Sequence, residues 1–195
     1  VWAILKGITL PNWPEFNDTP NRRIKGKFDT LNKIRKFRES IPDWLDDIGA
    51  SELGDKNWEK ELSSLNKQAS VIIRTNTLNT SIDELKKILS EEEIQTEKVK
   101  GFPNALKLII RKNLFKTLAF KDGLFEIQDA SSQLVAPFLK VENGMKICDV
   151  CAGAGGKTLH LSALTQNKGQ IIAMDIYKNK LFELKRRAKR NKAFN

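Results

Sequence analysis

MKICDVCAGAGGKT (Met145–Thr158) decides the reading of this chain. Met145–Cys151 is a short apolar run that predicts a strand, and the glycines after it predict a sharp bend into a helix carrying Leu159, Leu161 and Leu164. Gly169 ends that region, and Gln170–Met174 predicts the next strand, closed by Asp175. A basic helix with Leu181, Leu184 and Ala188 is expected over 179–191. Strand, helix, strand, helix is the opening of a doubly wound parallel sheet, so the fold class expected here is α/β.

Four readings of the bend compete. A nucleoside-triphosphate loop would use Gly156, Lys157 and Thr158, but the glycine it needs five residues before Gly156 is Cys151. A dinucleotide fingerprint fits Gly153 and Gly155, but its third glycine falls on Thr158. S-adenosylmethionine carries no phosphate, so it needs only a backbone that passes close to it and a carboxylate for the ribose hydroxyls. Asp175, at the end of the following strand, suits that role, and this reading is favoured. The fourth reading is a turn that merely packs, with Asp175 an ordinary helix cap. Cys148 and Cys151 have C-x-x-C spacing, but only His160 could join them as a soft ligand. They are therefore read as packing residues, with no metal site, and His160 is read as packing or surface.

Upstream, Leu124–Gln128 alternates like a strand, and Asp129 should cap a helix to about residue 139. Ser70–Arg74, Thr96–Val99 and Ala105–Ile110 predict strands, and Ser81 with Glu84 predicts a capping box on a helix lined by Leu85, Ile88 and Leu89. The first 65 residues read as irregular or helical, with helices near 27–39 and 56–66 and an apolar side of Trp44, Leu45 and Ile48 between them. The expected organisation is a helical or irregular segment over 1–66, a small α+β module over 67–116, and the parallel-sheet domain over 117–195.

The chain has 34 Lys and Arg against 24 Asp and Glu, a net charge of +10. Residues 1–40 hold 9 basic and 4 acidic side chains, 41–65 hold 2 and 7, 66–143 hold 12 and 10, and 144–195 hold 11 and 3. Arg22, Arg23, Lys25, Lys27, Lys33, Arg35, Lys36 and Arg38 form one cluster, and Lys185, Arg186, Arg187, Lys189, Arg190 and Lys192 the other. Such clusters favour a polyanion such as RNA, and the competing reading is a solvated helix face. Mean hydropathy is −0.42, and no apolar run is long enough to cross a bilayer. The opening VWAIL does not read as a signal peptide, and two cysteines suit a reducing cytosol, so a cytoplasmic protein away from membranes is expected.

Residues 123–158 resemble the Sun/Fmu-type RNA cytosine-5 methyltransferases. The resemblance rests on Q-D-x-x-S-Q at Gln128–Gln133, followed by D-x-C-A-x-x-G-G-K-T at Asp149–Thr158. Arg74-Thr-Asn76-Thr-Leu78 is similar to the R-x-N-x-L opening of the family's small RNA-recognition-like domain. The resemblance covers 70–195 well and 1–65 weakly. It implies a Rossmann-like class I S-adenosylmethionine-dependent methyltransferase domain, of which only the first half is present. That half is preceded by the small RNA-binding α+β domain and the helical N-terminal segment. It places the cofactor on Cys151, Ala152, Gly153, Ala154, Gly155, Gly156 and Lys157, with Asp175 on the ribose. The family loop usually reads C-A-A-P-G-G-K, and here Gly153 and Ala154 replace Ala-Pro, which loosens the turn.

In the family a cysteine thiolate attacks carbon 6 of cytosine, from a loop after the fourth strand. Neither Cys148 nor Cys151 matches it, so the catalytic cysteine is expected after residue 195. The chain is read as an inactive fragment of an enzyme acting on ribosomal RNA in preference to transfer RNA. The alternative is a non-catalytic RNA-binding module.

Overall fold

The computed structural model describes residues 1–195 as two compact units, Val1–Gln68 and Ala69–Asn195.

The first unit is helical: α1 (Trp2–Leu5), α2 (Asn21–Leu31), α3 (Arg35–Arg38), α4 (Asp43–Leu53) and α5 (Asp55–Leu65), with a 3₁₀ turn at Pro14–Phe16. Trp58 of α5 lies across Gly49 of α4 so closely that a Cβ there would sit 2.3 Å from the indole. The indole N–H donates to Asp46 (2.8 Å). The helix expected over 27–39 is two pieces, because Ile34 is extended between α2 and α3. Trp44 and Ile48 do not form a buried side; both are exposed. The basic cluster is also partly spent within the unit. Arg35 pairs with Asp46 and Asp55 (2.7 Å each), Lys36 with Asp43 (2.9 Å), and Arg38 with Glu39 (2.8 Å) and Glu59. The acidic stretch over 41–65 thus neutralises the end of the basic stretch before it.

The second unit holds two sheets. The first contains β1 (Ile72–Thr75), β2 (Thr96–Lys98), β3 (Ala105–Leu108) and β4 (Phe125–Ile127) in the order β2-β3-β1-β4, all antiparallel. Helix α6 (Ile82–Glu91) lies between β1 and β2 in the chain, and a 3₁₀ turn (Leu114–Lys116) and α7 (Leu118–Lys121) precede β4. Ile73, Leu85, Leu89, Leu106 and Phe125 are fully buried at the centre of this core. Ser81 caps α6 by accepting the Glu84 N–H (3.3 Å), while the Glu84 carboxylate accepts the Thr80 hydroxyl (3.0 Å). Strand β4 falls in the segment assigned from sequence to the parallel-sheet domain. Its hydrogen bonds instead complete the first sheet, with Arg74 opposite Glu126 and Ile73 opposite Ile127.

Helices α8 (Ala130–Gln133) and α9 (Val135–Phe138) replace the single helix expected over 129–139. Pro137 has no N–H to give the Gln133 carbonyl, which removes the bond that would have carried one helix through. The second sheet pairs β5 (Lys146–Asp149) and β6 (Gln170–Ala173) in parallel, Lys146 beside Gln170 and Asp149 beside Ala173. Between them runs α10 (Thr158–Leu164), and after β6 comes α11 (Lys178–Asn191). This is the opening of the Rossmann-like α/β fold. On one face of the sheet, Ile171 and Ala173 share a small cavity of about 90 Å³ with Leu159, Leu184 and Ala188. On the other, Cys148 and Ile172 are exposed. Cys151 is exposed as well, in the turn beyond the strand, so within this chain neither cysteine has the packing expected of it.

Candidate functional site

Two parallel strands of matched register end side by side, so the loop after β5 and the residue after β6 meet at the same edge. The Gly153 N–H donates to Asp175 Oδ2 (2.8 Å), and the Tyr177 N–H donates to Oδ1 (2.9 Å). These two backbone donors, Tyr177 first and Gly153 second, hold the Asp175 carboxyl below the usual carboxylate range. A carboxylate has about four lone-pair positions. Asp175 thus keeps one acceptor site on each oxygen beyond the two bonds that fix it.

The turn is built from both ends. Asp149 accepts the Thr158 hydroxyl on Oδ2 (2.7 Å) and lies 3.4 Å from the Cys151 N–H on Oδ1, tying the end of β5 to the start of α10. Ala152 is buried and its N–H donates to the Met174 carbonyl (2.9 Å). Gly153 and Gly155 both have φ in the left-handed region, +53° and +89°. At Gly155 there is a second constraint, since a Cβ would lie 2.7 Å from Leu184 Cγ. Around Gly156 there is room, the nearest atom to a Cβ being 3.8 Å away. Lys157, at the N-cap of α10, is exposed. The residues named from sequence, Cys151 to Lys157 and Asp175, therefore lie together at one sheet edge.

The sequence did not indicate what stands behind the turn. Arg74 of β1 is 2% exposed, and its Nη1 donates to both Gln128 Oε1 (2.5 Å) and the Gly156 carbonyl (2.8 Å). Its Nε has no protein acceptor, and burial pushes the guanidinium down to about 10. Arg187 of α11 donates from Nη1 to the Ala154 carbonyl (2.7 Å) and from Nη2 to Glu126 (2.6 Å). Burial alone would raise the Glu126 carboxyl. Arg187, Arg190 and Asn191 outweigh that and keep it below its ordinary range. Asn76 donates to the Gly123 (2.8 Å) and Asn191 (2.9 Å) carbonyls. Arg74 and Asn76 of the R-x-N-x-L motif therefore face inward and fasten the first sheet to the glycine turn and to the end of α11. The visible signal was the i, i+2 spacing of Glu126 and Gln128, which puts both on one face of β4.

His160 is buried in α10, 4% exposed, and its pKa is pushed down to about 3, by burial first and then by the Arg74 charge. It is a packing residue. No cluster of three or more His, Cys, Asp or Glu side chains is arranged to hold a metal ion. No helix is long and apolar enough to cross a membrane. On α11, Arg187 and Arg190 are committed to Glu126 and Arg186 to Glu183. Lys185, Lys189 and Lys192 are the exposed cations of that cluster without such a pairing.

Two family descriptions match the chain: "16S rRNA methyltransferase RsmB/F" over residues 136–193, and an RsmF/B-like methyltransferase "ferredoxin-like domain" over residues 41–113. A probable ribosomal RNA small subunit methyltransferase B of Synechocystis is 36% identical over 137 residues, 70% of this chain and 31% of that protein. One from Bacillus subtilis is 32% identical over 190 residues, 96% of this chain and 40% of its own length. Among solved structures, a methyltransferase homolog protein from Pyrococcus horikoshii superposes with a TM-score of 0.75 at 27% identity. That match covers 86% of this chain and 54% of the other. The chain thus spans 31% to 40% of the curated relatives described.

Proposed function

Since this chain belongs to the RsmB/F family of 16S rRNA methyltransferases, we propose that the turn Cys151–Lys157 and Asp175 form the S-adenosylmethionine side of an RNA cytosine-5 methyltransferase. Ribosomal RNA is the substrate this reading favours over transfer RNA, in line with the names of the Synechocystis and Bacillus relatives. The observation that carries the reading is the Asp175 carboxylate. It is fixed by the Gly153 and Tyr177 N–H groups and retains one acceptor site on each oxygen, as a ribose diol requires. When bound, S-adenosylmethionine supplies an electrophilic methyl group.

The chain's own contribution is binding and orientation. Gly153 offers a backbone with open space where a Cβ would stand, and Gly155 lets the turn lie against α11. Thr158 and Asp149 close the base of the turn. Neither cysteine is assigned the attack on cytosine. Cys148 lies on the exposed face of β5, and Cys151 falls within the turn itself. The exposed cations Lys185, Lys189 and Lys192 are assigned to the phosphate backbone, in a sequence-independent role. We also propose that the sheet of β1–β4 is the RNA-facing module.

The test is methyl transfer from labelled S-adenosylmethionine to ribosomal and transfer RNA by the full gene product, with the modified base identified. The expected product is 5-methylcytosine in ribosomal RNA. Asp175→Asn should weaken donor binding by about tenfold, since the bonds lost are charge-assisted. Unmethylated cytosine in both RNAs would reject the reaction, and unchanged donor affinity in D175N would reject the site.

A further inference from the structure

Glu126 of β4 and Gln128, which directly follows the strand and still donates its N–H to the Ile72 carbonyl (3.1 Å), are two residues apart, so their side chains share the face that Arg74 occupies on the neighbouring strand. Each of the two holds an arginine that also reaches the turn, and Glu126 in addition binds Arg190 and Asn191. Gln128 holds Arg74, and Glu126 holds Arg187. Each arginine then spends another N–H on a carbonyl of the glycine turn, Arg74 on Gly156 and Arg187 on Ala154. The arrangement repeats: an acceptor on this face, an arginine, a carbonyl of the turn. One arginine comes from the first sheet and the other from α11, so the turn is gripped from two elements. No peptide in the chain is cis. In a trans peptide the C=O and the following N–H point opposite ways. A Gly156 carbonyl drawn towards Arg74 therefore turns the Lys157 N–H away from it, and the Ala154 carbonyl does the same for the Gly155 N–H.

Arg74 has no carboxylate among its bonded partners, only two neutral oxygens. The nearest opposite charge, Glu126 on the facing strand, is already shared by Arg187 and Arg190, and a buried cation so placed is a poor device for stability, since apolar residues of similar volume commonly serve that purpose better. Its geometry suits holding a carbonyl in place.

We propose that Arg74 and Arg187 are positioning residues for the methyl-donor turn, with Gln128 and Glu126 as their anchors, so that the small sheet sets the shape of the donor site. This rests on the reading that the turn binds S-adenosylmethionine.

The variants are Arg74→Lys and Arg187→Lys. Both keep the charge but lose the planar guanidinium, which at Arg187 reaches anchor and carbonyl from its two terminal nitrogens and at Arg74 from the two N–H bonds of Nη1. Arg186→Ala is the control, because Arg186 is exposed and bonds only Glu183. The first readout is amide exchange at Gly153, Gly155 and Leu159, measured without donor. The second is KM for S-adenosylmethionine against kcat and the KM for RNA, on the full gene product. Each clamp variant should exchange about tenfold faster at those amides and raise the donor KM by about tenfold, with kcat and RNA KM unchanged. R186A should match the parent in amide exchange at the turn and in donor KM. Lower thermal stability with unaltered exchange at the turn and unaltered donor KM would overturn the proposal, leaving the arginines as mere packing. Should the parent itself fail to bind the donor, the functional reading falls, while the exchange measurement still decides the clamp.

Discussion

Replacing Gly155 with alanine tests the packing of the turn against α11. Two costs combine. The residue has φ +89°, where a Cβ crowds the backbone, at about 1–2 kcal/mol. The new Cβ also lies 2.7 Å from Leu184 Cγ and 3.2 Å from its Cδ1, an overpacking worth about 1–3 kcal/mol. Together they predict a loss of roughly 3 kcal/mol. Spread over a unit the size of residues 69–195, that corresponds to a fall in melting temperature of roughly 10 °C. Gly156→Ala is the internal control. Its φ is not in the left-handed region and its nearest neighbour is 3.8 Å away, so it should stay within about 0.5 kcal/mol of the parent. Leu184→Ala combined with G155A should recover about 1–2 kcal/mol of the penalty, because it removes the atom that is struck. Urea unfolding followed by NMR at Tyr177, the chain's one tyrosine, reports on this unit. Equal stability of G155A and G156A, or strict additivity with L184A, would refute the argument.

Two further outcomes are expected. His160 is the chain's only histidine, held near 3 when folded against about 6.5 when unfolded. The unfolded chain therefore binds the extra proton below about pH 6.5, and stability must fall as pH drops through that range. Denaturant unfolding at pH 6 and pH 5 should cost the parent about 1 kcal/mol more than His160→Gln, and equal slopes would contradict the burial of the imidazole. In the first unit, Gly49→Ala would drive a methyl into the Trp58 indole and should cost about 2–3 kcal/mol. All four tryptophans lie within residues 1–68, so intrinsic fluorescence follows that unit, and an unshifted transition would show that the contact is not tight.

What could be read from the sequence was what is local. Apolar runs bounded by glycine gave the strands around 146–149 and 170–173, and their parallel pairing put Asp175 beside Gly153 because both follow strand ends. The Ser81 cap was readable because a cap spans four residues. What escaped was what the chain joins across distance. Arg74 meets Gly156 across 82 residues of sequence, a contact that no periodicity encodes. Strand β4 was recognised as a strand but not assigned its partner, because three alternating residues fit either sheet. Charge clusters were visible, but not that Asp46, Asp55 and Glu126 had already claimed several of their members. The exposure of Cys148 was missed for a related reason: an apolar strand predicts burial on both faces, and here only one is covered.

The pairing of β4 with β1 has a practical consequence for dissecting the chain. A cut at the sequence-based boundary between residues 116 and 117 would send Phe125–Ile127 away with the downstream piece and leave the outer side of Ile72–Thr75 bare. The upstream piece would lose Phe125 from the centre of its core and gain a raw hydrogen-bonding edge. It would be expected to clump rather than fold. The downstream piece would carry Glu126 and Gln128 on a strand with nothing to lie against. Swaps between relatives are better joined at residues 68/69, where the tail of one compact unit gives way to the next.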